Sequence, residues 1–386
     1  MHRIQSLKPQ GFLSFAEDAP AVDLGPLNVF VGPNGSGKSN LIEAARFLSL
    51  APSGLRPSLT RGGARVADWC FEDARTARVE VVVSGSPRKT ALRYVLEIWN
   101  ESDVRICFET LEDHKPGSTK SRPYLRYELG EVRLTRKSGK ERKVVAKVDP
   151  SHPIIDQIKD ATEYPEMDWM QRSLASWRFI TEAHFGSRNN PLRTAQSSSQ
   201  PQERLLDDGR NLPLIINGLH QRSGMRQALL QHVREIYPFV DQIEVDLNMG
   251  ETQIVFVEAK KGSRTPAVRL SDGTMRWLFL GALLLDEMDD APVFIDEPDL
   301  ALHPDAIIPL ARLLKSASEH RQVLVTTHSD ALLSEFTGTP EVVQVFDRMN
   351  RTTRVTRLDA KELKSWLSTN SLGEIWKSGR IGGNRW

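Results

Sequence analysis

Apolar positions in the first hundred residues fall into short runs that turn residues separate. Between residues 4 and 31 these runs alternate with polar positions, which predicts an antiparallel strand pair that leads into a buried strand at 27–31. Similar runs at residues 79–83, 92–99 and 104–108 predict further strands. The N-terminal part of the chain is therefore predicted to be rich in antiparallel β-structure.

The pattern changes in the last third of the chain, where helical and strand periods alternate. Residues 272–288 and 306–314 have the apolar spacing of helices, and the short runs 293–295 and 323–326 are typical of buried strands. Strands that alternate with helices predict an α/β fold with a parallel sheet.

The middle of the chain mixes both patterns. Helices are predicted at residues 212–219 and 225–237, and a strand pair at residues 243–247 and 253–257. Residues 189–202 are rich in Ser, Gln, Asn and Pro, which predicts a mobile loop.

A glycine-rich segment follows the strand predicted at residues 27–31. It holds a complete G-x-x-x-x-G-K-S pattern and one further residue: Gly32, Pro33, Asn34, Gly35, Ser36, Gly37, Lys38, Ser39 and Asn40. Its glycines allow a tight turn that aims backbone N–H groups at an anion, and the following helix adds its positive N-terminal end. The Lys38 ammonium would contact the outer phosphates, and the Ser39 hydroxyl would ligate Mg²⁺. The alternative is a glycine turn that only connects a strand to a helix.

Two carboxylates, Asp296 and Glu297, follow the apolar run at residues 293–295. At the carboxyl end of a buried strand, Asp296 could hold Mg²⁺ opposite Ser39. Glu297 could accept a proton from the water that attacks the γ-phosphate. The alternative is that the pair caps the helix that follows. A phosphate loop in the same chain favours the catalytic interpretation.

Two further segments could contact the γ-phosphate. His328 follows the next apolar strand, where a histidine could sense the loss of that phosphate. Ser271 and Gly273 open the helix at residues 272–288, and a helix N-terminus with a glycine and a hydroxyl is a candidate anion site. In a head-to-tail dimer this site would reach the phosphate held by the partner. The simpler interpretation of both segments is helix capping by serine.

Composition excludes several classes of protein. With 39% hydrophobic residues, 26% charged residues and a formal net charge of +1, the chain has no global field that would attract nucleic acid or a membrane. Two cysteines, Cys70 and Cys107, exclude a disulfide framework and favour a cytoplasmic location. No apolar signal-peptide core follows Met1, and the longest apolar run is far below the roughly 20 residues that a membrane span needs.

A basic segment lies within residues 124–148. Its basic residues include Arg133, Arg136, Lys137, Arg142, Lys143 and Lys147. The pattern predicts a hairpin that turns at Ser138-Gly139-Lys140, and charged hairpins are typical of solvated sheet edges. The alternative is a nucleic-acid patch, for which only Tyr124 and Tyr127 offer a stacking face.

Taken together, these motifs resemble a known family. Their order matches an ABC-class ATPase head and is most similar to the RecF/SMC/OLD-like group of soluble predicted ATPases. The resemblance is carried by residues 24–29, 32–39, 270–274, 295–304 and 326–329. Residues 208–212 and the tail at 382–386 are similar to stand-alone members of that group.

The resemblance implies an α/β P-loop NTPase fold, the ABC-ATPase head, with an antiparallel β subdomain and a mixed α+β insertion. It divides the chain into the N-terminal half of the head at residues 1–115, the insertion at 116–265 and the C-terminal half at 266–386. The insertion is too short and too rich in proline for an SMC-type coiled coil. Fewer than about 60 residues follow His328, too few for the nuclease domain of OLD proteins.

The resemblance also implies roles for single residues. Ser271 and Gly273 would be the signature residues that complete the partner's site, and Asp299 would belong to the loop that crosses the dimer interface. Glu297 would be the catalytic base and His328 the switch histidine.

This chain departs from transporter heads at two places. Asp272 and Thr274 stand where those heads have glycine and glutamine. No glutamine occurs between Ile42 and Asp156 to contact Mg²⁺ and water, and Glu109 is a candidate for that position.

The main hypothesis is an ATP hydrolase that binds ATP and Mg²⁺ and works as an ATP-gated homodimer. It would serve DNA repair or phage defence through an effector protein such as a nuclease or toxin, without a membrane partner. One alternative is a nucleotide-dependent switch with little turnover. Another is a RecF-like DNA-binding protein, which the basic hairpin alone supports.

Overall fold

The computed structural model describes residues 2–60, 64–87, 90–117, 121–128, 130–144, 148–181, 190–219, 223–259 and 262–382. The chain divides into two compact units. Unit 1 consists of Met1–Trp177, Glu341–Leu358 and Gly379–Trp386, and unit 2 consists of Arg178–Pro340 and Asp359–Ser378. The division into three segments at residues 115 and 265 stays a prediction.

The strands of the described residues, in chain order, are β1 (Arg3–Gln10), β2 (Val22–Asp23), β3 (Leu27–Val31), β4 (Thr76–Ser84), β5 (Ala91–Trp99), β6 (Ile106–His114), β7 (Pro123–Glu128), β8 (Glu131–Thr135), β9 (Glu141–Val144), β10 (Arg178–Ile180), β11 (Gln196–Ser197), β12 (Val240–Asn248), β13 (Glu251–Glu258), β14 (Arg264–Pro266), β15 (Val293–Ile295), β16 (Val323–Thr327), β17 (Val343–Met349) and β18 (Thr352–Arg357).

The α-helices of the same residues are α1 (Lys38–Ser49), α2 (Arg56–Leu59), α3 (Ile154–Gln157), α4 (Pro165–Ser176), α5 (Leu212–Gly218), α6 (Ser223–Arg234), α7 (Asp272–Leu284), α8 (Ile307–His320), α9 (Asp330–Ser334), α10 (Ala360–Leu367) and α11 (Leu372–Lys377). Among the described residues, no helix is both long enough and apolar enough to span a bilayer.

Unit 1 is built around an antiparallel sheet with the strand order β2–β1–β4–β5–β6–β7–β8–β9. Alternating side chains of β4, such as Val79 and Val81, are completely buried, as the period of two in the sequence predicted. The strand pair near the N-terminus is confirmed as β1 and β2. The strand predicted at residues 104–108 begins later, at Ile106, and runs on to His114.

Unit 1 also contains the buried strand β3, which pairs in parallel with β17, and β17 pairs with β18 in antiparallel fashion. All five residues of β3 are buried. The sequence pattern predicted neither β17 nor β18, and α4 is a further element of this unit that it did not predict.

Unit 2 contains the parallel strands β10, β15 and β16, with β15 between the other two. This confirms parallel pairing for the alternating last third of the chain. Helix α7 ends at Leu284, four residues before the predicted end. The Asp286 carboxylate accepts a hydrogen bond from Met288 N at 3.2 Å, and such a local turn competes with the helix.

A second sheet of unit 2 is antiparallel, with the order β11–β13–β12 and with β14 also paired to β13. The predicted pair of strands at residues 243–257 is confirmed as β12 and β13. The segment predicted as a loop contributes β11, because Gln196 pairs with Thr252. Residue 189, at the start of that segment, lies outside the described residues.

Candidate functional site

The phosphate loop lies between β3 and α1 in unit 1. Helix α1 begins at Lys38, directly after Gly37, whose φ of 104° is in the left-handed region. A Cβ at Gly37 would stand 2.1 Å from Thr353 Oγ1, so only glycine fits there. At Gly35 no atom lies within 4 Å of a Cβ position, which leaves the outer side of the loop open.

A polar network behind the loop holds its backbone in place. Thr353 Oγ1 donates to the carbonyl of Ser36 at 2.8 Å and lies 2.7 Å from Ser14 Oγ. Asn40 Nδ2 donates to Ser14 Oγ at 2.7 Å. Ser14 and Thr353 are both buried. Sequence reasoning missed these two residues because neither belongs to a motif and both reach the loop from distant segments.

Lys38 is held against the loop. Its Nζ donates to the carbonyls of Gly32 at 2.9 Å and Pro33 at 3.2 Å, and the side chain is buried. Asn34 and Ser39 are exposed. The loop offers backbone N–H groups and the Lys38 ammonium to phosphate oxygens, and the exposed Ser39 hydroxyl to Mg²⁺. These are the groups that a Mg²⁺-bound polyphosphate requires, so the loop fits that ligand.

The predicted catalytic carboxylates follow β15 in unit 2. Asp296 N donates to the carbonyl of Ile180 at 2.8 Å, which continues the pairing of β15 with β10. The Thr326 hydroxyl donates to Asp296 Oδ1 and accepts from Glu297 N at 3.1 Å. Thr326 is completely buried. One hydroxyl of β16 therefore fixes both residues of the acidic pair.

Glu297 and His328 lie side by side. Nε2 of His328 is 3.1 Å from Oε1 of Glu297, and both side chains are partly exposed. The φ of Glu297 is 49°, a left-handed conformation that is uncommon for a residue with a side chain and that concentrates at functional sites. The structure thus brings together the base and the switch histidine predicted from the sequence, while their roles stay predictions.

The loop after Glu297 is tied to β16 through Asp299. Thr327 Oγ1 donates to Asp299 Oδ1 at 2.8 Å. Burial raises the pKa of Asp299, and the hydrogen bond from Thr327 opposes that rise. The same loop meets the signature segment, residues 270–274, because a Cβ at Gly273 would stand 2.6 Å from the carbonyl oxygen of Ala301. Glycine at position 273 is therefore required by the close approach of this loop.

The signature segment forms the N-terminus of α7. Ser271 Oγ accepts from Thr274 N at 3.0 Å, so the capping role of Ser271 is confirmed. Ser271 and Asp272 are nevertheless exposed. One turn further, the buried Arg276 donates to the carbonyls of Glu297 and Asp296. Arg276 was not among the residues predicted from the sequence, because its partners lie in another motif.

The prediction that Glu109 replaces the missing glutamine is wrong. Its side chain is completely buried, and its carboxylate accepts hydrogen bonds from Tyr94 Oη and from the backbone N–H groups of Ile154 and Ile155. It anchors the start of α3 to the sheet. A carboxylate with these partners and no exposed surface cannot contact Mg²⁺ and water at a nucleotide.

The basic hairpin is present as β8 and β9. Tyr124 and Tyr127 are buried, so the stacking face that a nucleic-acid patch would need is absent from this hairpin's described residues. The Arg133 guanidinium lies 3.5 Å from Glu131. Arg136 and Glu163 form a 3.0 Å ion pair. These pairs favour the interpretation as a solvated sheet edge.

Three parts of the sequence predictions lie outside the described residues or side chains. They are Lys147, the side chains of Arg142 and Lys143, and the tail at residues 383–386.

A protein-family model described as "AAA domain, putative AbiEii toxin, Type IV TA system" matches residues 27–334. The chain belongs to this family. The matched range of this AAA-domain protein begins at β3 and ends in α9, so it contains the phosphate loop, the signature segment, the acidic pair and His328.

Solved structures with a similar fold are heads of SMC proteins. An Smc head bound to the C-terminal winged-helix domain of ScpA is 15% identical, with a TM-score of 0.59, and the match covers 94% of this chain and 99% of that one. The Pyrococcus furiosus Smc head with an extended coiled coil, bound to the C-terminal domain of ScpA, is 14% identical, with a TM-score of 0.59 and coverage of 95% and 99%. The predicted P-loop NTPase fold of an ABC-class head of the SMC/RecF type is confirmed.

A curated relative matches over a short stretch. The chromosome partition protein Smc of Halothermothrix orenii is 36% identical over 72 residues, which is 19% of this chain and 6% of that protein. The chain thus spans only a small fraction of that relative. The family and the fold together place this protein among nucleotide-binding ATPases.

Proposed function

We propose that this protein is an ATP hydrolase that works as an ATP-gated homodimer. ATP and Mg²⁺ bind at the phosphate loop, and the signature segment of a second copy closes on the γ-phosphate. The observation that carries the proposal is the exposure of Ser271 and Asp272 at the start of α7, although the residues from Met275 to Leu284 are all buried. Burial of Ser271 within its own chain would prevent any second copy from using it.

In this proposal each site residue has one task. Lys38 and the backbone N–H groups of the loop bind the outer phosphates. Ser39 and Asp296 would hold Mg²⁺, which neutralises phosphate charge when it is bound. Glu297 takes the proton of the attacking water, and His328 orients the carboxylate that does so.

Helix α7 also contacts, within its own chain, the loop after β15 that carries Glu297. Gly273 packs against Ala301, and Arg276 donates to the carbonyl of Glu297. Engagement of the signature segment by a second copy would therefore act on the loop that carries the base. These contacts support gating of hydrolysis by dimerisation.

The biological role is proposed through an effector protein. The family description names a toxin, and two SMC heads of similar fold have structures in which a domain of ScpA is bound. Both findings support a partner protein. Phage defence or DNA repair is the setting proposed for it. The buried tyrosines and paired arginines of the basic hairpin give no support to direct DNA binding.

The test replaces Glu297 by Gln, which keeps the size of the side chain and removes the base. We expect ATP turnover to fall about 100-fold or more, and an ATP-dependent dimer to accumulate in size-exclusion chromatography with light scattering. The matched control is Glu287→Gln, an exposed carboxylate between α7 and β15.

Normal turnover of the Glu297→Gln variant would show that Glu297 is not the base. A variant that remains monomeric with ATP and Mg²⁺ would contradict dimer gating. Negligible turnover of the wild-type protein, with and without DNA, would favour the nucleotide-dependent switch instead.

A further inference from the structure

The signature segment carries an acidic residue, Asp272, at the position where a partner's triphosphate would approach. A carboxylate beside a triphosphate repels it, and the repulsion is strong where water is excluded between two copies. The structure shows how this charge is balanced. Nη1 of Arg193 lies 3.0 Å from Oδ1 of Asp272, and Nη2 of Arg193 donates to the carbonyl of Val268 at 2.8 Å.

The two contacts of Arg193 fix its guanidinium in a defined place. Nη1 binds the Asp272 carboxylate, and Nη2 binds the Val268 carbonyl, three residues before Ser271. The Arg193 guanidinium therefore contacts the chain on both sides of Ser271. The planar guanidinium offers separate N–H groups to the two acceptors, which defines its position between them.

The backbone that carries Arg193 is itself anchored. Arg193 N donates to the carbonyl of Asn190 at 3.0 Å, and Leu192 N donates to Asn190 Oδ1 at 3.0 Å. Asn190 and Leu192 are both buried. Three residues later, Gln196 enters β11 and pairs with β13. The backbone of Arg193 is therefore held in place by hydrogen bonds to Asn190.

The ion pair contributes little to folding. The side chain of Arg193 is 33% exposed and that of Asp272 is 53% exposed, and ion pairs between side chains exposed to this extent stabilise proteins only slightly. The effect of Arg193 that matters is that its positive charge offsets the negative charge of Asp272 in the signature segment.

We propose that Arg193 is a positioning residue of the phosphate site that the signature segment offers to a second copy. Fixed in place by its bond to the Val268 carbonyl, Arg193 neutralises Asp272, so that the N-terminus of α7 can receive the γ-phosphate of the other copy's ATP. This inference rests on the proposed ATP-gated dimer.

The test uses Arg193→Ala, Asp272→Asn and the double variant, each combined with Glu297→Gln. The measurement is the ATP concentration that gives half-maximal dimer. We expect Arg193→Ala to raise this concentration about tenfold or more, and Asp272→Asn to lower it, because the Arg193 charge then faces the triphosphate without a counter-charge. The double variant should return to within about threefold of the Glu297→Gln parent. High salt should reduce the defect of Arg193→Ala, because salt screens the uncompensated carboxylate.

The matched control is Arg234→Ala. Arg234 also binds an exposed carboxylate, that of Asp241 at 3.3 Å, and a backbone carbonyl, that of Val240 at 2.8 Å, but it lies at the end of α6. It should leave ATP-dependent dimerisation unchanged. The thermal midpoints of Arg193→Ala and Arg234→Ala should both stay close to that of the parent.

An unchanged ATP requirement for Arg193→Ala would overturn the inference while the proposed function stands. A double variant as impaired as Arg193→Ala would also overturn it, because the defect would then not come from the charge of Asp272. If Glu297→Gln itself forms no dimer with ATP, the proposed function and this inference both fail.

Discussion

The imidazole Nε2 of His328 lies 3.1 Å from Oε1 of Glu297. The backbone of Glu297 is held as well, because its N–H donates to Thr326 Oγ1 and its carbonyl accepts from Arg276. Glu297 is therefore held through its side chain and through its backbone by residues of unit 2. This arrangement makes its orientation sensitive to single substitutions.

Replacing His328 by Ala should slow turnover more than it weakens nucleotide binding. Without the imidazole, the Glu297 carboxylate can rotate away from the water it must activate, so kcat should fall about 10- to 100-fold. ATP affinity should stay within about threefold, because Lys38 and the loop N–H groups bind the phosphates. Steady-state ATPase assays and equilibrium nucleotide binding separate the two effects. His152→Ala, an exposed histidine of unit 1, is the control, and a rise in KM with normal kcat would refute the orienting role.

Replacing Thr326 by Val tests the hydroxyl that fixes the acidic pair. Valine has nearly the same shape but leaves Glu297 N without its acceptor and Asp296 Oδ1 without its donor. We expect a loss of about 1–3 kcal/mol in the free energy of unfolding and at least about a tenfold loss of kcat. Thr326→Ser keeps the hydroxyl and should recover most of both. Equal activity of the Val and Ser variants would contradict this role.

The sequence predicted most strands of the β-rich part and the segments that carry the motifs, because period-two patterns and glycine-rich loops are local. It missed contacts between distant segments. Thr353 and Ser14 support the phosphate loop, and Arg193 reaches the signature segment from a stretch predicted as a loop. The error at Glu109 has the same origin, since the alternating pattern of β6 does not show which neighbours cover a buried position.

A partly buried charge cluster around Asp289 makes the stability of unit 2 depend on pH. The Asp289 carboxylate lies 2.9 Å from Arg178 and 3.2 Å from both Arg204 and Arg321. Burial alone would raise the pKa of Asp289, but the three guanidinium groups, led by Arg321, lower it to about 2. A depressed pKa stabilises the fold above the ordinary value of 3.8, and this contribution is lost as pH falls from about 4 towards 2.

Asp289→Asn should therefore lower the free energy of unfolding by about 2–3 kcal/mol at pH 7, because three cations then lack their shared counter-charge. Urea unfolding at pH 7, 4 and 3 provides the measurement, and the difference from wild type should shrink at the lowest pH. Asp290→Asn, at an exposed neighbouring position, is the control. A difference that does not change between pH 7 and pH 3 would argue against a titrating carboxylate.

Glu109 should produce the opposite pH dependence in unit 1. Burial raises its pKa to about 7, although hydrogen bonds from Ile154, Ile155 and Tyr94 partly offset the rise. A raised pKa means that the folded state binds a proton that the unfolded state has already lost. Its stabilising contribution is complete below the ordinary pKa of 4.5 and is lost as pH rises through 7.

The variant Glu109→Gln does not titrate, so its stability should lack this pH dependence. We expect the free energy of unfolding of the wild type, relative to the variant, to fall by up to about 3 kcal/mol between pH 4.5 and pH 8. Urea unfolding across this range measures the difference, with the exposed Glu101→Gln as the control. A relative stability that rises with pH would show that the carboxylate is ionised at all these pH values. In that case the N–H groups at the start of α3 would outweigh the cost of burying its charge.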